Sequence, residues 1–138
     1  MSMTVCSSPR EIPVGYYLAD CAISGGTLRE YLQSILAAAG GKLCVRLQPV
    51  YMDFPLPCPS GVGTPLTPRE LNELRQNAPC FFSESLCTEY FTYVESGQIH
   101  AVLYDSLDSL RKKYQCLQAC GIPMVLIEDS QLRAKLTR

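Results

Sequence analysis

The sequence predicts an α/β fold with an α+β insertion, and three observations predict it. A strand, a capped helix and a second strand follow one another with short joins between residues 12 and 51, an order in which the two strands run parallel. A proline- and glycine-dense stretch then leads into a hairpin pattern, which is antiparallel. Beyond residue 105 a capped helix and an apolar strand return.

Each element has a local cause. Ile12 to Asp20 (IPVGYYLAD) is a short apolar run with two aromatics, the pattern of a buried strand. Ser24-Gly-Gly breaks the chain, and Thr27-Leu-Arg-Glu30 has the form of a capping box. Leu28, Tyr31, Leu32, Ile35, Leu36 and Ala39 then recur at helical spacing, and Gly40-Gly41 supply a left-handed stop. Lys42 to Tyr51 (KLCVRLQPVY) reads as the second strand.

From Met52 to Pro68 the density of proline and glycine predicts a long ordered loop without regular structure. Thr67, Pro68 and Glu70 repeat the capping chemistry and start a short helix to about Asn77. Cys80 to Ser85, Thr88 to Val94 and Gln98 to Tyr104 are strand-like, the last two joined by a compact turn at Glu95-Ser-Gly97. Ser106 caps a long helix with Leu107, Leu110, Tyr114, Leu117 and Cys120 on its apolar face, closed by Gly121 and Pro123. Met124 to Ile127 is a buried strand, and Asp129 to Arg138, with Leu132 and Leu136 four apart, is one more amphipathic helix.

Composition narrows the function classes. A net charge of -1 with acids and bases interspersed gives no basic face for nucleic acid or anionic lipid. No apolar run approaches the roughly 20 residues of a membrane span, and the first nine residues lack the apolar stretch of a signal peptide. The expected compartment is therefore the cytoplasm. Cys6, Cys21, Cys44, Cys58, Cys80, Cys87, Cys116 and Cys120 contain no C-x-x-C pair. Cys116 and Cys120 share a helix face, but only His100 could add nitrogen, so reduced, packed thiols are expected and neither metal nor cofactor is.

Three stretches carry a resemblance to family 18 glycoside hydrolases, the chitinases and spore-cortex N-acetylglucosaminidases. Lys42 to Phe54 (KLCVRLQPVYMDF) resembles that family's seventh barrel strand, with Asp53-Phe54 at its Asp-Trp place. Thr64 to Leu74 resembles the first helix of its α+β insertion, and Glu89 to Asp105 the insertion's Phe-x-Tyr hairpin. Tyr104 to Asp129 resembles the return to the eighth strand. The resemblance implies a partial (β/α) barrel, its last strands only, since 138 residues fall short of the about 250 of a complete one. It divides the chain into barrel-like units at 14–54 and 105–138 and an insertion-like segment at 55–104.

The family's catalytic glutamate closes a run of spaced aspartates that this chain does not contain, and Ile127 stands near the family's stacking tryptophan. No catalytic residue is therefore expected. What the resemblance implies is a module for an N-acetylglucosamine-containing glycan or a protein partner, with Tyr51, Asp53, Phe54, Tyr90 and Tyr93 as the candidate sugar contacts. The same aromatics equally suit core and hairpin packing. Open strand edges predict a homodimer or a separate partner chain. The same resemblance also allows a remnant of a larger gene, and two alternatives stand beside it: a split hydrolase completed by another polypeptide, and an independent α+β interaction domain whose functional edge is loop 52–68.

Other chemistry reads as structural. Asp105 with Asp108, and Glu84 with Glu89, are expected at a helix start and at strand ends. His100 has no readable partner and is expected to be solvated, and Ser60 lacks the setting of a nucleophile.

Overall fold

The computed structural model describes residues 3–138; Met1 and Ser2, part of the segment read above for a leader, lie outside them. Two sheets organise the chain. A parallel four-stranded sheet holds β1 (Thr4–Cys6), β2 (Tyr17–Asp20), β3 (Leu43–Arg46) and β9 (Met124–Leu126), in the order β1-β9-β3-β2. An antiparallel five-stranded sheet holds β4 (Tyr51–Leu56), β5 (Thr64–Pro65), β6 (Phe81–Ser83), β7 (Thr88–Glu95) and β8 (Gln98–Tyr104), in the order β5-β4-β8-β7-β6. The helices are α1 (Leu28–Ala38), α2 (Pro68–Arg75), α3 (Leu107–Ala119) and α4 (Ser130–Leu136).

Period-2 alternation sorts the parallel strands between two cores. Leu43 and Val45 of β3 and Val125 of β9 face α1 and α3, packing with Leu28, Leu32, Leu110 and Leu117. Cys44, Met124, Leu126 and Cys6 face the other way and are also buried, with Ile12 and Tyr16 packed on them. The topology explains that second layer. From β2 to β3 to β9 the chain steps across the sheet in one direction, whereas from β1 to β2 it steps back. Right-handed crossovers then put the helices on one face and the 7–16 connection on the other, where a short 3₁₀ turn, Pro9–Glu11, carries it across.

The helix starts follow the sequence closely. Thr27, Thr67 and Ser106 each accept from the backbone N–H three residues on. At α2 the box is reciprocal through Glu70, and at α3 through Ser109. The β7–β8 turn has positive φ at both Ser96 and Gly97, 51° and 77°, which matches the twist of a two-residue hairpin.

Three expectations need correction. The Ile12–Asp20 run is neither a long strand nor a buried one: only Tyr17–Asp20 pairs, at the sheet edge, with Tyr17 64% exposed. Lys42–Tyr51 is not one strand, because β3 ends at Arg46 and Tyr51 begins β4 of the second sheet. Much of 52–68 is strand and not loop, since β4 runs on to Leu56 against β8 and Thr64–Pro65 pairs with Met52–Asp53. Pro55 is tolerated there because β5 covers only Met52 and Asp53, leaving that flank of β4 open at Pro55. The missed strand is β1, whose three residues gain their order from β9.

Candidate functional site

A small cleft opens where the two sheets meet, beside the carboxyl ends of β2 and β3. Ala22, Ile23 and Ser24, just past β2, form one wall. Met52 and Phe54 of β4 with Leu103 of β8 form the opposite one, and Val50, Thr88 and Gly61 complete it. Its volume is about 140 Å³, below the several hundred Å³ of a pocket that engulfs a whole ligand. Gly63 fixes the Phe54 ring from behind: a Cβ there would lie 2.8 Å from it.

At the floor lie Asp105 and Lys113, whose side chains are 1% and 3% exposed. Lys113 Nζ is 2.8 Å from Asp105 Oδ1 and Ser109 Oγ donates to the same oxygen at 2.9 Å; the Thr88 hydroxyl, 3.2 Å from it, lies closer to the Tyr104 carbonyl, at 2.8 Å. Val50 N–H donates to Oδ2 at 3.1 Å. So much hydrogen bonding is what a carboxylate needs to remain buried beside its counter-ion. Asp105, expected near a helix start, directly precedes the α3 cap Ser106 and is buried against Lys113, a residue not singled out from the sequence. A lysine among polar neighbours on a helix reads as solvent-facing; its signal was the spacing Asp105, Ser109, Lys113, one helical face at i, i+4, i+8. Asp108 sits in the first turn of α3, where it was expected, with Arg111 3.8 Å away.

A second cluster lies on the opposite face of the five-stranded sheet, the face α2 covers. Tyr93 Oη donates to Asp53 Oδ2 at 2.5 Å, and His100 Nδ1 is 3.0 Å from Asp53 Oδ1. The Tyr93 and His100 rings stack at 4.7 Å. Burial, and then the Asp53 carboxylate, push the Tyr93 phenol up from its ordinary value. His100 is therefore not the solvated residue expected: opposite Tyr93 in the β7–β8 register and opposite Pro55 in the β4–β8 register, its ring is brought beside Asp53. Its partner is 47 residues away in sequence, beyond the reach of local pattern.

Of the five candidate sugar contacts, only Phe54 lines the cleft. Tyr90 shares its face of the sheet but stands away from the cleft, against Phe81 at 5.6 Å. Tyr51, Asp53 and Tyr93 lie on the α2 face, packed near or within the cluster of Leu71, Phe91, Val102 and Tyr104. Pleating thus divides the five between two faces. At the carboxyl end of the parallel sheet, Asp20 and Arg46 stand opposite one another in register. Arg46 Nε is 3.3 Å from Glu128 Oε1, near enough for attraction but not aligned as a hydrogen bond. These three residues were not singled out from the sequence.

The eight cysteines are unpaired, and Cys6, Cys21, Cys44 and Cys87 are buried. Among the described residues no three His, Cys, Asp or Glu side chains converge as a metal site. No helix among them is long and apolar enough to cross a membrane.

The fold places the chain beside known proteins. No family model matches the sequence, and no curated protein does. Solved structures do. A chitinase from Chromobacterium violaceum is similar at a TM-score of 0.61 and 14% identity, over 97% of this chain and 53% of that one. The Bacillus cereus spore cortex-lytic enzyme SleL is similar at 0.57 and 16%, over 78% of this chain and 29% of that one. A class V chitinase from Nicotiana tobaccum, solved in complex with NAG4, is similar at 0.50 and 14%, over 75% of this chain and 36% of that one. The chain thus spans about half of these proteins or less, and shares with them a chitinase-like α/β fold of parallel and antiparallel sheets.

Proposed function

We propose that the chain is a family 18-like module, built of the last strands of a (β/α) barrel with its α+β insertion, that binds an N-acetylglucosamine-containing glycan without hydrolysing it. The observation that carries this reading is the cleft at the carboxyl ends of β2 and β3, the end of a parallel sheet where ligands of such folds bind. Its charged lining residues, Asp105 and Lys113, neutralise each other. Lys113, Ser109 and the Val50 amide direct donors at the Asp105 carboxylate, a surrounding that suits an acceptor and not a group that protonates a leaving oxygen. Beside the cleft the same sheet face extends through Leu56, Ile99 and Val94, opposite one another across three strands and exposed, with Phe81 and Tyr90 further across. A face of that kind suits the apolar faces of sugar rings.

The test is calorimetric titration with chitotetraose and with peptidoglycan fragments, together with assay of the mixture for shorter products. Binding without cleavage supports the reading; cleavage by the chain alone, or the absence of any binding, overturns it.

One observation favours the split hydrolase as a second reading. β1 lies beside β9 in parallel, as the first strand of a closed barrel lies beside its last, and the outer edges of β1 and β2 have no partner strand among the described residues. A chain supplying four strands would complete eight. Segment 7–16, however, already covers the face that would become the barrel's interior.

A further inference from the structure

The even mix of charge over the whole chain conceals a local departure. Segments 111–118 and 131–138 hold six of its twelve lysines and arginines and none of its thirteen acidic side chains. Three of the six are committed elsewhere: Lys113 to the buried Asp105, Lys112 to the face of the Phe82 ring, 4.0 Å from its centre, and Arg133 to the Ile127 carbonyl at 2.7 Å. The other three, Arg111, Lys135 and Arg138, line one groove between α3 and α4, together with Tyr114, Gln115 and Gln118. No acidic side chain among the described residues lines it.

Little nearby offsets that charge. Asp108 is 3.8 Å from Arg111, but its side chain is 84% exposed, and a pair in that setting is worth about 1 kcal/mol or less. The end of α4 supplies about half a negative charge from its free carbonyls, against three cations. Like charges brought together raise one another's energy, so a dianion entering the groove relieves repulsion as well as pairing with them. Shape selects among anions. The volume is about 290 Å³, at the lower end for small-molecule sites and unlike the extended track that a nucleic-acid backbone follows. A phosphate group presents three terminal oxygens to two guanidinium forks and an ammonium, and it fills only part of that volume. The amides of Gln115 and Gln118 offer donors and acceptors to the rest of the ligand.

We propose that the groove between α3 and α4 binds a small phosphomonoester, its phosphate held by Arg111, Lys135 and Arg138 and its polar body by Gln115 and Gln118 beside the Tyr114 ring. The groove shares no lining residue with the cleft between the sheets, and its ligand is selected by charge, not by the apolar surface that suits a sugar ring.

Titrations of the whole chain, followed by ¹H–¹⁵N spectra, test this in about 0.15 M chloride, where attraction beyond about 8 Å is screened. The ligands are inorganic phosphate, a hexose phosphate and adenosine monophosphate, with the free hexose and adenosine as uncharged counterparts. Saturable shifts at the amides of Tyr114, Gln118, Lys135 and Thr137 are expected, with at least one ester binding tenfold or more tighter than inorganic phosphate and its uncharged counterpart not binding. The ester preferred tells whether the body is a sugar or a nucleoside. Arg111→Gln and Lys135→Gln should each weaken that ester tenfold or more. Lys112→Gln removes the same charge one residue from Arg111 and should leave the affinity within twofold, the spectra reporting that each variant is folded. Unchanged binding in Arg111→Gln and Lys135→Gln, or an equal loss in Lys112→Gln, overturns the site. Esters no tighter than inorganic phosphate, as from an adventitious ion only, or the absence of saturable shifts, overturn it as well.

Discussion

Lys113 carries the charge that balances the buried Asp105 carboxylate. Replacing it with methionine keeps most of its length but leaves the Asp105 carboxylate buried without its counter-ion. Loss of one partner of a buried pair costs about 3–5 kcal/mol, so urea unfolding of Lys113→Met is expected at a much lower midpoint. The double variant with Asp105→Asn should recover part of the loss; equal midpoints for single and double variants would dismiss the ion pair as the cause. Thiols make a second prediction. Burial pushes Cys21 and Cys44 each up to about 12, from an ordinary 9.0. Folding therefore holds protons that the unfolded chain releases above pH about 9. That contribution is intact below pH 9 and is lost as pH rises towards 12, at about 1.4 kcal/mol per pH unit for each thiol. Unfolding midpoints measured at pH 8 and pH 10 should fall steeply in the native chain and less steeply in Cys21→Ala.

Among the elements, those with a local cause were readable and those with a distant one were not. Thr27, Thr67 and Ser106 announce their helices because a cap is complete within four residues. The β7–β8 turn is as explicit, since Ser96-Gly97 adopts the two left-handed conformations that it needs. β1 escapes notice because three residues carry no period, and its order comes wholly from β9. β4 was hidden by Pro55 and Pro57, and the passage from one sheet to the other between Leu47 and Tyr51 leaves no mark on an apolar run. The candidate site was legible only in part for the same reason: type of residue is written locally, whereas the face it occupies depends on strand register. Capping supplies a sharp comparison. Glu70 returns a hydrogen bond to the Thr67 amide at 3.0 Å, whereas Glu30 makes no such bond to Thr27. Thr67→Ala and Thr27→Ala should each cost about 1 kcal/mol, but Glu70→Ala should lower the melting temperature more than Glu30→Ala does.

On the scale of the whole molecule, the 7–16 connection decides whether four parallel strands can stand without the rest of a barrel. Ile12 and Tyr16 lie over Cys6, Cys44, Met124 and Leu126, a surface that would otherwise face water. Ile12→Ser with Tyr16→Ser should uncover it, giving increased binding of a hydrophobic dye and larger particles by light scattering. An unchanged particle size and dye signal would mean that other residues cover that face. Dimerisation through the free edges of β1 and β2 is a separate matter, and Leu18→Lys on the β2 edge should weaken any such association without disturbing the covered face.

The pairing of β1 with β9 also has a temporal side. Thr4 stands opposite Met124, 120 residues further along, so β1 pairs, among the described residues, with a strand that is made long after it. Until then it can only wait. In the second sheet β6 with β7 and β7 with β8 are near neighbours in sequence and can pair while synthesis proceeds, whereas β4 has to wait for β8, and closing the longer loop from β1 to β9 comes later still. Until β9 has been made, therefore, the Thr4–Cys6 segment lacks the strand that orders it and is open to competitors, and assembly of the parallel sheet is timed by β9.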